Sequence, residues 1–159
     1  NSLSDIDIKN IYLKLFKIIH DLHKLGVCHR DIKTENVLIA YEPELQLYLT
    51  DLDYSSFHTN KDAFCGGSVG YAAPEVFSNK TNIDWKEVDL WALGVILFIL
   101  VTECHPWKRA TMDDNHFAFY VNNYSDNFWK KYLKQQFTIP IEYDLDFYSK
   151  HLKELLRID

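Results

Sequence analysis

His29-Arg30-Asp31-Ile32-Lys33-Thr34-Glu35-Asn36 gathers a carboxylate, an ammonium group and a carboxamide into one short polar stretch. Asp31 and Lys33 flank a single apolar residue, and Asn36 closes the run just before Val37-Leu38-Ile39. A polar turn capped by Asn36 ahead of a strand would explain one or two of these residues. It does not explain the whole set, so the stretch is the place from which to read outward.

On its N-terminal side, Ser4 and Asp7 have the spacing of a capping box. Ile8, Ile11, Tyr12, Leu15, Ile18, Ile19 and Leu22 then recur on one helical face, and Gly26 stands where a left-handed helix stop is expected. On its C-terminal side, Val37 to Ile39 reads as a strand. Leu45, Leu47 and Leu49 alternate with Gln46, Tyr48 and Thr50 in a second strand, after a turn that contains Pro43. Residues 51–75 carry little periodicity, and a loop of that length in a compact domain is usually functional or disordered. Asp84 and Glu87 can cap a helix that runs through Trp91 to about Thr102 and is apolar on nearly every face, which marks it as the central buried helix. Thr111 with Asp114 starts another helix, Ser125 a further one, and a last helix turns Leu145, Tyr148, Leu152, Leu155 and Leu156 inward. The fold class expected is mainly α, a helical bundle with one small β-hairpin beside the polar loop.

The 159 residues fit one domain with a real core, 47% hydrophobic and without low-complexity runs. The net charge of −6 is spread along the chain. It argues against nucleic acid as a partner, which would need clustered Lys and Arg; the largest basic run is Lys130-Lys131, a solvated helix face. Cys28, Cys65 and Cys104 are odd in number and far apart, which suggests buried small hydrophobes rather than a zinc site or a disulfide framework. The histidines show no metal-ligand spacing. The apolar run Leu90–Val101 is too short to span a bilayer, and no membrane partner is expected.

The chemistry of the polar stretch is specific. Phosphoryl transfer to a hydroxyl needs the hydroxyl aimed, the phosphates neutralised and magnesium held, with little covalent help from the protein. Asp31, Lys33 and Asn36 supply those functions in one loop, and the stretch matches H-R-D-x-K-x-x-N. On these residues the chain resembles the eukaryotic protein kinases of the serine/threonine type, from the helix before the catalytic loop almost to the end of the large C-terminal lobe. The resemblance implies that Asp31 orients and deprotonates the substrate hydroxyl and that Lys33 contacts the γ-phosphate. It further implies that Asn36 and Asp51 bind Mg2+, that Leu38 lies under the adenine of ATP, and that Arg30 receives an activating charge from the long loop. His29 packs or bonds structurally.

Further motifs extend the likeness. Asp51-Leu52-Asp53 stands in the place of D-F-G, with Asp53 where glycine is usual, a departure expected to strain the backbone or alter metal binding. Ala73-Pro74-Glu75 matches A-P-E. Gly67-Ser68-Val69-Gly70-Tyr71 resembles the loop that seats the residue following the phosphoacceptor, with the Ser68 hydroxyl expected on Asp31 and Lys33. Gly66, Gly67 and Gly70 are no phosphate cradle, because no strand precedes them and no helix opens on them. Asp89-x-Trp91-x-x-Gly94 resembles D-x-W-S-x-G, whose carboxylate accepts backbone N–H groups of the catalytic loop. His105-Pro106-Trp107 corresponds to the apolar turn after that helix.

The resemblance assigns residues 1–159 to the C-lobe of a protein kinase domain. The small N-lobe is then a missing part of the same chain, the C-terminal end of the lobe is truncated, and the arginine partner of Glu75 lies beyond Asp159. The isolated fragment is expected to bind ATP weakly. Protein substrates are implied, with basic residues before the phosphoacceptor if Glu35 faces them. Asp62 in place of a phosphorylatable threonine suggests a permanent charge for Arg30, with Thr59, Ser55 and Ser56 as alternative phosphosites. A cytoplasmic or nuclear location is the default. The other reading is a pseudokinase or binding scaffold on the same fold; intact Asp31, Lys33, Asn36 and Asp51 favour the enzyme, and Asp53 leans the other way.

Overall fold

The computed structural model describes residues 3–41, 43–57, 67–78 and 81–158. Thr59, Asp62, Cys65 and Gly66, named above, lie outside the described residues.

Helix α1 (Asp5–Lys24) opens with the capping box: the Asp7 amide donates to Ser4 Oγ at 3.1 Å, and the Asp7 carboxylate accepts from the Ser4 amide at 3.3 Å. Its buried face is Ile8, Ile11, Tyr12, Leu15 and Ile19. Leu25 caps the C-terminus, and Gly26 turns the chain out at φ 79°, a left-handed conformation that glycine adopts without a Cβ penalty. The chain then makes β1 (Val27–Cys28), the polar loop with a 3-10 turn at Thr34–Asn36, and the hairpin β2 (Val37–Ala40) and β3 (Gln46–Leu49). Residues Ser56–Phe57 form β4, antiparallel to β1, with Val27 opposite Phe57. That second two-residue pairing adds to the single hairpin expected; strands so short carry no alternation to read.

Helix α2 (Trp85–Thr102) is the axis of the molecule. Asp84 caps it, its carboxylate accepting the Lys86 amide at 3.0 Å, and Glu103 closes it in a left-handed conformation at φ 60°. It is buried on nearly every face, from Trp85 and Val88 through Leu93 and Leu97 to Val101. Both α1 and the last helix, α5 (Leu145–Leu155), pack against it. Between them lie α3 (Asn115–Asn123) and α4 (Phe128–Gln136). Here an aromatic cluster fills the core: Tyr120 lies 4.8 Å from Trp129 and 5.0 Å from Phe128, and Trp107 lies 5.1 Å from Phe117, ring centre to ring centre. The Tyr120 hydroxyl donates to the Leu156 carbonyl, tying α3 to the end of α5.

Helix starts differ from the sequence reading in two places. The cap of α3 is Asp114, which takes the His116 and Phe117 amides, while Thr111 sits in the turn before it. Ser125 likewise closes a turn onto Phe128, and α4 begins at Phe128. Cys28 is buried, but Cys104 is exposed in the turn just past the end of α2. Among the described residues no helix is long and apolar enough to cross a membrane.

Gly94 marks where α5 approaches α2 most closely. A Cβ there would meet Leu155 Cβ at 2.9 Å and Leu156 Cδ2 at 2.8 Å. Leu155 Cβ is fixed to its backbone and cannot step aside. Gly94→Ala is therefore expected to lower the urea midpoint without changing m: overpacking costs about 1–3 kcal/mol, against about 1 kcal/mol of helix propensity gained. A raised midpoint would show that this contact is looser than the geometry states.

Candidate active site

The site is assembled by three supports: the buried start of α2, the hairpin register, and the segment that precedes Ala73-Pro74-Glu75. Asp89, in the first turns of α2, is buried. Its Oδ2 accepts the His29 amide at 2.8 Å and its Oδ1 the Arg30 amide at 2.8 Å, so the polar loop hangs from the central helix. His23 Nε2 lies 2.8 Å from the same Oδ2. A buried carboxylate is tolerated when its oxygens are saturated by hydrogen-bond partners in this way. The His29 side chain is also buried, with Nε2 3.0 Å from the Thr50 carbonyl and Nδ1 accepting the Asp31 amide at 3.3 Å.

The hairpin brings the next residues together. In its register Val37 pairs with Leu49, and the ladder continues one step outward, the Thr50 amide donating to the Asn36 carbonyl at 2.9 Å. Asn36 and Asp51 therefore leave the same end of the hairpin, Asp51 one residue beyond the Thr50 that faces Asn36. Asn36 Nδ2 donates to the Asp31 carbonyl at 2.9 Å, which leaves its amide oxygen as the atom able to ligate. Asp51 is exposed and sits at φ 66°. The positive φ of the Asp51-Leu52-Asp53 triplet is thus at its first residue; Asp53 lies in an ordinary turn closed by the Ser55 amide on the Leu52 carbonyl. The strain expected from Asp in place of glycine at residue 53 does not arise.

Asp31 Oδ2 accepts the Lys33 ammonium at 2.8 Å, and its Oδ1 accepts the Ser68 amide at 2.9 Å. Burial works to raise the Asp31 pKa, but Lys33 and both the hydroxyl and the amide of Ser68 outweigh it and hold the carboxyl below its ordinary 3.8. The hydrogen bond that Lys33 donates to Asp31 is likewise the main cause that raises Lys33 above 10.5, with Glu35 and Asp51 adding their charge. The hydroxyl and amide of Ser68 meet Asp31 and its carbonyl accepts the Tyr71 amide at 2.9 Å; among the described contacts none joins it to Lys33.

Several placements were not legible. Arg30, at φ 72°, directs its guanidinium over the Trp85 ring at 4.2 Å and donates to Ser56 Oγ at 3.1 Å. Tyr71 reaches its hydroxyl to Thr34 at 2.8 Å and to Glu35 at 3.4 Å. Leu38 is 53% exposed on the hairpin surface. Glu75 lines a cavity of about 260 Å³ with Glu87, Trp91 and Arg157 and is engaged rather than left unpaired. His23, Cys28 and Asp89 bring ligand-type atoms within 4.8 Å of one another, a grouping that spacing did not suggest. Burial and the Asp89 charge push the Cys28 thiol up to about 12, so it is a neutral thiol beside the His23–Asp89 pair. Asp89, partnered by His23, holds the loop.

Asp89→Ala is expected to destabilise the fold by roughly 3–5 kcal/mol, because it leaves the buried His29 and Arg30 amides without an acceptor. Hydrogen exchange at those amides should accelerate with it; unchanged protection would mean the loop does not hang from α2. For the Asp31–Lys33 pair, the depressed carboxyl contributes stability that is present above pH 3.8 and lost as pH falls through its lower folded value. The raised ammonium contributes stability present below pH 10.5 and lost above. Lys33→Met should move the Asp31 carboxyl upward in an NMR titration, since burial then acts with less opposition; a midpoint that stays put would remove Lys33 as the cause.

With this geometry in view, the comparisons with known proteins are consistent among themselves. Residues 1–158 match the family model described as protein kinase domain. The chain is 32% identical to the serine/threonine-protein kinase CHK1 of Saccharomyces cerevisiae, over 84% of this chain and 27% of that protein. It is 34% identical to the serine/threonine-protein kinase SRK2J of Arabidopsis thaliana, over 66% of this chain and 31% of the relative. With cds1 of Schizosaccharomyces pombe, also a serine/threonine-protein kinase, it shares 37% identity over 69% of this chain and 25% of that one. The chain spans less than a third of the length of these relatives. A helical domain whose catalytic-type loop hangs from a buried carboxylate, and a sequence matched almost end to end by that family model, make this chain a member of the protein kinase family.

Proposed function

We propose that the protein containing this chain is a serine/threonine protein kinase that transfers the γ-phosphate of ATP to hydroxyls of protein substrates. The observation that carries the reading is the convergence of Asp31, Lys33, Asn36 and Asp51 at one end of the β2–β3 hairpin. A carboxylate held below its ordinary pKa is ionised at neutral pH and available to a substrate hydroxyl. Asp31 thus orients that hydroxyl and accepts its proton, while Lys33 supplies positive charge beside it to offset the negative charge of the transferring group.

Asn36 and Asp51 offer hard oxygen donors, an amide oxygen and an exposed carboxylate, which is the donor chemistry that magnesium prefers. Bound there, the ion would neutralise phosphate charge. The exposed apolar face of the hairpin, Leu38 with its cross-strand partner Tyr48, suits an adenine ring and whatever covers it from the other side. We place those further nucleotide contacts on a small lobe outside residues 1–159. Ser68 positions Asp31, and Arg30, stacked on Trp85, braces the loop. Glu35, exposed beside Thr34, favours substrates with basic residues before the acceptor.

In the intact protein, Asp31→Asn should lower the rate of γ-phosphate transfer to a peptide by about 10²–10⁴-fold, the usual worth of a positioned general base, with little change in the peptide's affinity. A variant that retains the full rate would remove Asp31 as the proton acceptor, and an unaltered protein that transfers no phosphate would make the chain a scaffold.

A further inference from the structure

Beside the site described, a second concavity of about 500 Å³ opens between the segment Ser68–Tyr71 and the turn that follows α2. Its apolar wall is Trp107 with the Tyr71 ring, both buried. Its rim is the Lys108 ammonium with the imidazoles of His105 and His116, all three exposed, and no carboxylate is among its described lining residues. That is unusual for a chain with 23 acidic residues against 17 basic ones. Two acids on the α3 side are already committed. Asp114 takes the Lys108 amide with one oxygen and the His116 and Phe117 amides with the other. Asp113 bonds Thr111 and faces Arg109.

The cavity is joined to the reacting centre. Ser68 lines it and also donates its amide to Asp31, so an acceptor hydroxyl at Asp31 lies next to its mouth. Tyr71 is the divide: its ring edge meets His105 at 4.9 Å on the cavity side, while its hydroxyl meets Thr34 and Glu35 on the other. Gly70 keeps the mouth open, since a Cβ there would press on His105 Nδ1 at 3.2 Å.

We propose that this cavity binds an anionic side chain of the substrate protein, aspartate, glutamate or a phosphorylated residue, within about three residues of the phosphoacceptor, a reach of some 10 Å of extended chain. Trp107 and Tyr71 pack the stem of that side chain, and Lys108 with the two histidines meets its charge. Together with Glu35 across Tyr71, the groove selects substrates of mixed polarity, acidic toward one flank and basic toward the other. The inference deepens the kinase reading above and rests on it for the position of the acceptor.

The test separates the two. Fluorescently labelled serine peptides, each with aspartate, phosphoserine, alanine or lysine walked through the three positions on either side of the acceptor, are titrated into the intact protein by anisotropy. The same peptides are assayed for phosphate transfer. Aspartate or phosphoserine at one position should tighten binding by about threefold to tenfold over lysine, the worth of one or two partly exposed charge contacts. In Lys108→Glu/His116→Glu the preference should reverse. These side chains are exposed, and a thermal melt of Lys108→Ala/His116→Ala, in which the preference should simply vanish, guards against a folding defect. Equal binding of all peptides, or an acidic preference that survives both variants, overturns the proposal. A preference that behaves as stated while no peptide is phosphorylated overturns the kinase reading and leaves the cavity as the binding site of a scaffold. Tightening by phosphoserine alone would name a primed substrate as the occupant.

Discussion

A carboxylate buried at the start of the central helix is expensive unless its oxygens are saturated, and Asp89 is saturated by backbone. The His29 and Arg30 amides and the His23 ring surround it. Those amides belong to a loop that has no regular structure of its own, so their only route out of water is this helix. The dependence is mutual: the loop needs an acceptor and the carboxylate needs donors. What results is a catalytic-type loop whose backbone is fixed by the best-packed element in the molecule. Because α2 is apolar on nearly every face and clasped by α1 and α5, it has little freedom to shift, and the loop inherits that rigidity.

The rest of the site follows from register. An antiparallel ladder fixes which residues leave a hairpin together, and slipping it by one residue would turn every side chain to the opposite face. The bond between Thr50 and Asn36 sets that end of the β2–β3 pair. Two backbones bear positive φ at the edge of the arrangement, Arg30 and Asp51. Such conformations cost non-glycine residues free energy and persist only where the surroundings impose them. Here Asp89 imposes the first, through the Arg30 amide, and the ladder leads directly into the second.

Sequence alone carried the framework because its signals were periodic or dense. The apolar face of α1, the capping box at Ser4 and Asp7, the continuous apolar run of α2 and the alternation through Leu45, Leu47 and Leu49 each report a local preference that tertiary contacts then reinforced. The polar loop was legible for a different reason: too many chemically distinct groups stood too close together for a plain turn. What could not be read depended on contacts between distant parts of the chain. Nothing around His23 marks it as a partner of Asp89, since it sits at the edge of the apolar stripe. Trp85 gives no sign that Arg30 will lie over it. The two-residue strands β1 and β4 exist only because the loop brings them together. The helix starts at Asp114 and Phe128 went astray because several residues of capping type stood in each turn, and tertiary packing chose among them.

The polarity of the surface around Asp31 gives the site its direction. Burial alone would favour a neutral acid there, and a neutral acid could not accept a proton. Lys33 and Ser68 reverse that tendency, but Lys33 pairs with Asp31 and feels the charges of Glu35 and Asp51 as well. A single ammonium among three carboxylates leaves local negative charge uncompensated on the side of Asp51, where a cation would be drawn, whereas across Tyr71 the rim of Lys108 with the His105 and His116 imidazoles has no carboxylate among its described lining residues. The same short span of surface therefore attracts opposite charges on its two sides. An extended ligand crossing it is aligned by field before any close contact forms, and the buried anchor at Asp89 keeps the alignment from being lost to motion of the loop.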